Sequence, residues 1–404
     1  MHVVVIGGGA AGFFAAISAR LHHPAARVTL LEKSDKPLAK VRISGGGRCN
    51  VTHACFDDRK LAKHYPRGGA FLRKAFAQWS VKDTVAWFAT QGVRLKTEAD
   101  GRMFPVTDDS GTVMDALMHA AHASGVELKL RCPVMALERT AMGWKVHLRD
   151  GTLQADHVIV CSGGSPSRQG LQWLADLGHT IVDPVPSLFT FNLPDDPIRT
   201  LMGVSVDPAR VWLPGTDLEA EGPLLITHWG LSGPAVLRLS AWGARWLNGR
   251  QYAFTVRVDW LRPLEAKEAR ARIAEEASAH PKRQCGNLEA LPLPQRLWTF
   301  LLHKADLAPD KPLGEVGPRQ MDRLLDVLTN DRYEARGKTT FKEEFVTAGG
   351  VDLAQVDPHS MRSLRLPNLS FAGEVLDIDG ITGGFNFQAA WTTGWIAGTH
   401  IFDA

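Results

Sequence analysis

Gly7, Gly9 and Gly12 stand in the spacing G-x-G-x-x-G directly after the apolar run Val3-Val4-Val5-Ile6. That pattern binds anions. One glycine allows a tight turn, one lets backbone approach a pyrophosphate, and one lets helix pack closely on strand. Ala10 and Ala11 lead into the helix that must follow, whose unpaired N–H groups and dipole favour negative charge. Glu32 lies 20 residues after Gly12 and is followed by Lys33. An acid at that offset can accept hydrogen bonds from an adenosine ribose.

A second set is Ser44-Gly45-Gly46-Gly47-Arg48-Cys49-Asn50, a backbone able to pass close to a flat ligand. Cys49 invites comparison with flavin-linked disulfide reductases, but Cys55 lies six residues on, outside the spacing of their paired cysteines. A single reactive thiol and a buried inert one both remain open. A third set is Thr227, His228 and Ser232 among glycines, read as a loop lining a site, although a histidine there can equally be hydrogen-bonded structure.

These residues need elements to position them. Val3 to Ile6 and Arg27 to Leu31 read as buried parallel strands, with Phe13 to Leu21 as the helix between them. Phe71 to Gln91 reads as two helices broken near Ser80, which, like Asp83, could cap the second. Trp144 to Leu148 and Leu153 form a hairpin around Asp150-Gly151, and His157 to Cys161 is a buried strand running into Gly163-Gly164. Prolines then punctuate short alternating runs from Pro184 to Trp260, a β-rich stretch, and Pro263 to Leu328 holds about three helices. Asn368 to Glu374 is a late strand ending in Gly373-Glu374. Gly383, Gly384 and Asn386 precede a last helix, Ala389 to His400. In the two-domain flavoprotein fold such a strand offers its acid to the ribityl chain of FAD, and the next helix start points N–H groups at the flavin carbonyls. An NAD dehydrogenase has no use for this element, so FAD is the expected dinucleotide.

The 404 residues call for two or three domains, with 45% hydrophobic and 22% charged residues, ordinary for a globular protein. No apolar run is long enough for a membrane helix, and no membrane partner is expected. A first strand at residue 2 or 3 leaves no room for a signal peptide. Five cysteines without a C-x-x-C pair point to a reducing cytoplasm, with no disulfide framework and no metal site. The net charge of +3 is small, yet Lys36 to Lys74 holds ten cations against Asp57 and Asp58. That segment is either a solvated face that helps neutralise a pyrophosphate or a site for a polyanionic substrate. Nothing in the sequence sets an oligomeric state.

The runs GGGAAG (7–12), EK (32–33), ISGGGRCN (43–50), DGRMFPVTD (100–108), THWGLSGPA (227–235), TAGGV (347–351) and FAGEVLDIDGITGGFNFQAA (371–390) together resemble the BaiN/RdsA-like family of FAD-dependent oxidoreductases. The resemblance implies an α/β fold: a Rossmann-like FAD-binding domain of the two-dinucleotide-binding flavoprotein type, with an inserted β-barrel-like module and a helical module. The FAD domain is expected from 1–185 plus 347–404, the β-rich module over 186–262 and the helical module over 263–346. Gly7, Gly9, Gly12, Glu32, Lys33, Lys40, Arg48, Asn50, Val134, Gly163, Gly373, Glu374, Gly384 and Asn386 match positions expected around FAD. Ala10, Ala11, Ser44, Gly47 and Gly383 join them from the motifs above. Cys161-Ser162-Gly163 departs from the usual Ala-Thr-Gly, and the segment after Gly164 is short.

The family reduces carbon–carbon double bonds conjugated to a carbonyl, in a steroid-acid enone or in uridine of ribosomal RNA. The same is expected here, by hydride transfer from flavin N5. No second G-x-G-x-x-G follows a strand, so an NAD(P)H donor would dock directly against the flavin. Arg48, Cys49, Thr227 and His228 are the candidate catalytic residues. Arg48, Thr227 and His228 are candidates to stabilise enolate charge. The basic segment favours an RNA substrate over a small enone. A flavin-binding partner of RNA or protein without turnover is the reading from another class.

Overall fold

In a computed structural model the described residues are 1–339 and 346–401. They fall into two compact units, Met1–Ser187 with Phe341–Ala404, and Leu188–Thr340.

The first unit is built on a parallel sheet of five short strands. In spatial order these are Leu369–Phe371, His157–Val160, His2–Ile6, Arg27–Leu31 and Glu127–Lys129. Val3, Val4 and Val5 are fully buried, as are Val158 to Val160, because both faces of a parallel sheet are covered. The first helix is Ala10–His22, three residues longer at its start than the apolar pattern indicates. It packs along the last helix, Phe385–Thr399, which begins four residues before the expected Ala389. Small residues allow this approach. A Cβ on Gly394 would fall less than 3 Å from the Ala11 carbonyl, and one on Gly398 equally close to that of Ala15. Around this helix pair Phe14, Trp79, Trp87, Phe88, Trp391 and Trp395 form one aromatic cluster, with Trp79 stacked on Trp395 at 4.0 Å. Ser80 and Asp83 do form a capping box at the start of Val81–Thr90.

The second unit carries a seven-stranded sheet. Its order is Asp331–Arg336, Ala253–Asp259, Ser205–Trp212, Glu219–Ile226, Gly230–Ser232, Thr190–Asn192 and Lys338–Thr339. The two outermost strands are neighbours in the chain, separated only by Gly337. That residue donates to Tyr252 O at 2.8 Å and accepts from Asn192 N at 3.2 Å, bridging both edges. The sheet therefore curls on itself, its two outermost strands being one continuous stretch of chain. Helices Ala266–Ala279, Gln295–Lys304 and Pro318–Thr329 are the three expected within Pro263 to Leu328, where the apolar spacing indicates Leu264 to Ser278, Leu293 to His303 and Gly317 to Leu328. Expected as a separate module, they instead share one continuous core with the sheet: Val211, Val256 and Phe254 pack in the same cluster as Ile273, Leu301 and Leu328. Residues 340–345, the end of the expected helical module, lie outside the described residues, as do 402–404 of the expected FAD domain.

Candidate active site

The strand His2–Ile6 delivers the first glycine turn to the C-terminal edge of the sheet, where open α/β sheets bind ligands. The three glycines divide their tasks. A Cβ on Gly7 would meet the Cys161 carbonyl and one on Gly12 the Gly7 carbonyl, each at under 3 Å, whereas Gly9 has nothing within 4 Å. Gly7 and Gly12 thus close the turn on itself, and Gly9 leaves open space at the helix start. Ala10 and Ala11 follow with no side-chain cap and no acid in the first turn, and Arg20 and His22 stand in the last. The helix keeps a bare, electropositive N-terminus.

Glu32 directly follows the second strand and is already engaged: Oε2 accepts from Gly8 N and Oε1 from Ser34 N and Oγ, each at 2.8 Å. A carboxylate has about four acceptor positions, so about one remains for a ribose. Lys33 beside it is exposed. Val134 opens the strand Val134–Thr140, two residues after Cys132, whose N–H donates to Glu32 O at 2.9 Å.

In the second glycine run Ser44 leaves helical geometry, and Gly45 and Gly46 turn left-handed. Gly46 and Gly47 have nothing within 4 Å of a would-be Cβ, and neither has Gly163 after the strand His157–Val160. Three separate loops of this unit therefore present bare backbone to open space. Arg48 is fixed outside its own segment: Nη1 lies 2.6 Å from Glu98 and 3.5 Å from Asp108, and the guanidinium lies 4.0 Å over Phe104. Cys49 is fully buried, and burial pushes its thiol up to about 12 despite a hydrogen bond with Ser44.

Glu374 follows Gly373 after the late strand. It accepts from Lys40 Nζ at 2.6 Å and from Thr347 N at 2.9 Å. Gly164 packs so close that a Cβ there would fall under 3 Å from both Glu374 and Thr347. The Thr347 hydroxyl is buried here without a hydrogen-bond partner among the described residues. A polar ligand beside Glu374 would satisfy it.

The loop from Asp377 to Gly384 is held from many sides, none of them foreseen. Arg67 makes a bidentate ion pair with Asp379, which also accepts from Ser187 Oγ at 2.7 Å. Asp379 is fully buried, and burial pushes its carboxyl above the usual range while the Arg67 hydrogen bonds oppose that. Tyr65 OH donates to Phe385 O at 2.7 Å, and the rings of His53 and His64 stack on Phe385 at 4.6 and 4.4 Å. Asn386 closes the loop through Gly380 N and O, at 2.8 and 3.0 Å. Asn50, with its amide turned to satisfy its neighbours, accepts from Gly384 N at 2.9 Å and donates to Thr52 O at 2.9 Å. His53 Nδ1 lies 3.0 Å from Gly383 O. The side chains of Asn50 and Asn386 thus shape the start of the last helix, which is itself uncapped and free of acids in its first turn. Arg67 and Asp379 are 312 positions apart, and only the adjoining glycines hinted at them.

Thr227 and His228 belong to the second unit. The expected loop is a tight turn between Glu219–Ile226 and Gly230–Ser232. Thr227 Oγ1 accepts from Gly230 N at 3.2 Å and donates to Gly230 O at 3.1 Å, closing the turn. His228 is exposed, its ring 3.6 Å from that of Trp229, and its carbonyl accepts from Arg199 Nε at 2.7 Å.

The first unit's features fit FAD: bare glycine backbone on three loops, two uncapped helix N-termini, an acid at each expected ribose or ribityl position, and an orphaned buried hydroxyl beside one of them. Among the described residues no group of histidines, cysteines and acids could hold a metal, and no helix is long and apolar enough to cross a membrane.

Comparisons with known proteins bear on the family and the fold. A 3-dehydro-bile acid delta(4,6)-reductase of Clostridium scindens is 30% identical over 98% of this chain and 97% of its own. A ribosomal RNA dihydrouridine synthase of Escherichia coli is 28% identical over 99% of this chain and 98% of its own. A solved 3-ketosteroid-delta4-(5alpha)-dehydrogenase from Rhodococcus jostii superposes with a TM-score of 0.52 at 14% identity, covering 99% of this chain and 96% of the other, and shares the fold. The family profile HI0933-like protein Rossmann domain matches residues 1–400. The chain belongs to the HI0933-like family of Rossmann-fold, FAD-dependent flavoprotein oxidoreductases.

Proposed function

We propose that the protein reduces a carbon–carbon double bond conjugated to a carbonyl, with NAD(P)H as the electron donor and uridine in RNA as the substrate. The observation that carries the bond chemistry is that two relatives matched over nearly their whole length are named for reductions of this kind on unrelated molecules. When bound, FAD supplies a hydride for the β-carbon. The chain's residues hold the cofactor, place the substrate and steady the charge that develops on its carbonyl. Bare backbone at Gly9, Gly46, Gly47 and Gly163 admits the flavin nucleotide closely. Arg48, its charge oriented by Glu98 and Asp108, is the flavin unit's own candidate for the developing enolate.

The RNA reading is supported by the basic segment, in a smaller form than its composition indicates. Lys40, Arg48 and Arg67 pair with Glu374, Glu98 and Asp379. Seven cations then remain between Lys36 and Lys74 against Asp57 and Asp58, among them the exposed Lys60, Arg73 and Lys74. The second reading, a small enone, is favoured by the bile-acid reductase relative.

The deciding experiment maps dihydrouridine in ribosomal RNA from cells lacking this gene, beside NAD(P)H oxidation by the purified flavoprotein with small enones. Loss of a dihydrouridine that the restored gene brings back is the expected result. Unchanged dihydrouridine with fast enone turnover would overturn the RNA reading in favour of the second.

A further inference from the structure

In the first unit the loop Asp377 to Gly384 lies along the segment His64 to Gly68. Ile381 N donates to His64 O at 2.9 Å, and Arg67 and Asp379 face each other as an antiparallel β-bridge. A Cβ on Gly68 would fall 2.6 Å from Cγ1 of Ile378, so the two segments are in close contact. In the middle of this contact sits the bidentate pair of Arg67 and Asp379. Ser187, itself fully buried, donates to Asp379 Oδ2 at 2.7 Å and accepts from Arg67 Nη2 at 3.4 Å. The Asp379 side chain has no exposed surface and that of Arg67 only 13%. Taking two charges out of water often costs more than their attraction gains, and an apolar pair of similar volume serves stability as well or better. Fold stability alone is therefore a poor reason for this pair. Its position supplies a better one. Asp379 is bonded to Gly380, whose N and O are held by the Asn386 side chain in the first turn of the last helix. Gly383 and Gly384 take positive φ just ahead of that helix, which has no capping side chain. A shift of Asp379 passes through Gly380 and Asn386 to those open N–H groups.

We propose that Arg67 and Asp379 are positioning residues for the flavin: their pair fixes the loop that aims the last helix start at the cofactor, and its balanced charge helps set the reduction potential. This role is the same whichever double bond the flavin reduces. The planar guanidinium fork makes two parallel bonds, which fix an angle as well as a distance, where a lysine is only a point charge. Each partner also holds the other's charge in place. Burial pushes the Asp379 carboxyl above its usual range, and the Arg67 hydrogen bonds oppose that.

The test uses the full-length chain with and without FAD, and reads melting temperature, FAD affinity and the midpoint potential of the bound flavin. Arg67→Met combined with Asp379→Leu removes both charges and keeps an apolar filling. Stripped of FAD, this double variant is expected to melt at or above the parent temperature, while its FAD affinity falls about tenfold. Arg67→Lys keeps the charge and loses the fork, so affinity should fall while the potential stays at the parent value. Asp379→Asn leaves the Arg67 cation unbalanced, which favours the more negative reduced flavin. The ratio of reduced to oxidised affinity should then rise about tenfold, an upward shift of about 30 mV for a two-electron couple. Parent-like FAD affinity in the double variant overturns the proposal. So does a double variant whose melting temperature and FAD affinity fall together, the mark of a pair that only supports the fold. An unchanged potential in Asp379→Asn overturns it as well.

Discussion

At Cys49 two local facts act against each other. The thiol follows directly on the glycine loop and Arg48, where a reactive sulfur would be useful, but it is fully buried and its thiol is pushed up to about 12. The thiolate is the reactive form, and near neutral pH it is then roughly one part in ten thousand or fewer. Cys49→Ser is therefore expected to leave NAD(P)H-dependent flavin bleaching within about twofold of the parent, and loss of bleaching with FAD retained would restore thiol chemistry. In the native protein an alkylating reagent should reach the partly exposed Cys55 and Cys132 and spare Cys49 until the chain unfolds. The same shift has a pH signature. A thiol whose folded value is raised stabilises the fold below its unfolded value, about 8.5, and that contribution is lost as pH climbs toward 12. Alkaline melts should accordingly fall less steeply in Cys49→Ser than in the parent between those limits. Asp379 lies at the opposite extreme of legibility. Nothing in its neighbourhood of the sequence announces Arg67, because the pair exists only once the chain has folded back over 312 positions.

Among the elements, helix starts divide by the chemistry at their first turn. The helix at Val81 was readable because Ser80 and Asp83 cap it, and capping leaves a signature in side chains. The helices at Ala10 and Phe385 begin earlier than apolar spacing indicates, and both are led by a glycine with no capping side chain. Where the helix N–H groups are reserved for a ligand, the residues that would mark the boundary are missing. The pairing of these two helices makes a sharp prediction. On helix propensity alone Gly394→Ala would stabilise by about 1 kcal/mol. Its Cβ, however, would fall less than 3 Å from the Ala11 carbonyl, a backbone atom that cannot turn aside. Overpacking of this kind costs about 1–3 kcal/mol, so the steric effect wins. The variant should melt lower and hold FAD more weakly, since both helix starts shift. A rise in melting temperature would show that the contact is looser than described.

For the molecule as a whole, the two units carry separate cores. The dinucleotide residues expected from the sequence fall in the first unit, and a ligand that binds a folded unit raises its melting temperature by mass action. Calorimetry should therefore show two transitions, of which added FAD raises only one. A single transition that moves as a block would mean that the units unfold together. The sequence marked where the β-rich and helical stretches lie. It did not mark that they share one core, since Val256 and Ile273 each read equally well as part of a module of their own.

The way the chain passes between units has a further consequence. Ile181–Ser187 and Val346–Val351 pair antiparallel, with Ser187 opposite Val346, so the chain leaves the flavin unit and returns to it along one ladder. In evolutionary terms the second unit is a cassette. Its strands and helices can be lengthened, trimmed or replaced between those two points without breaking a hydrogen bond of the parallel sheet. Selection can then change what is bound while the cofactor chemistry is inherited intact.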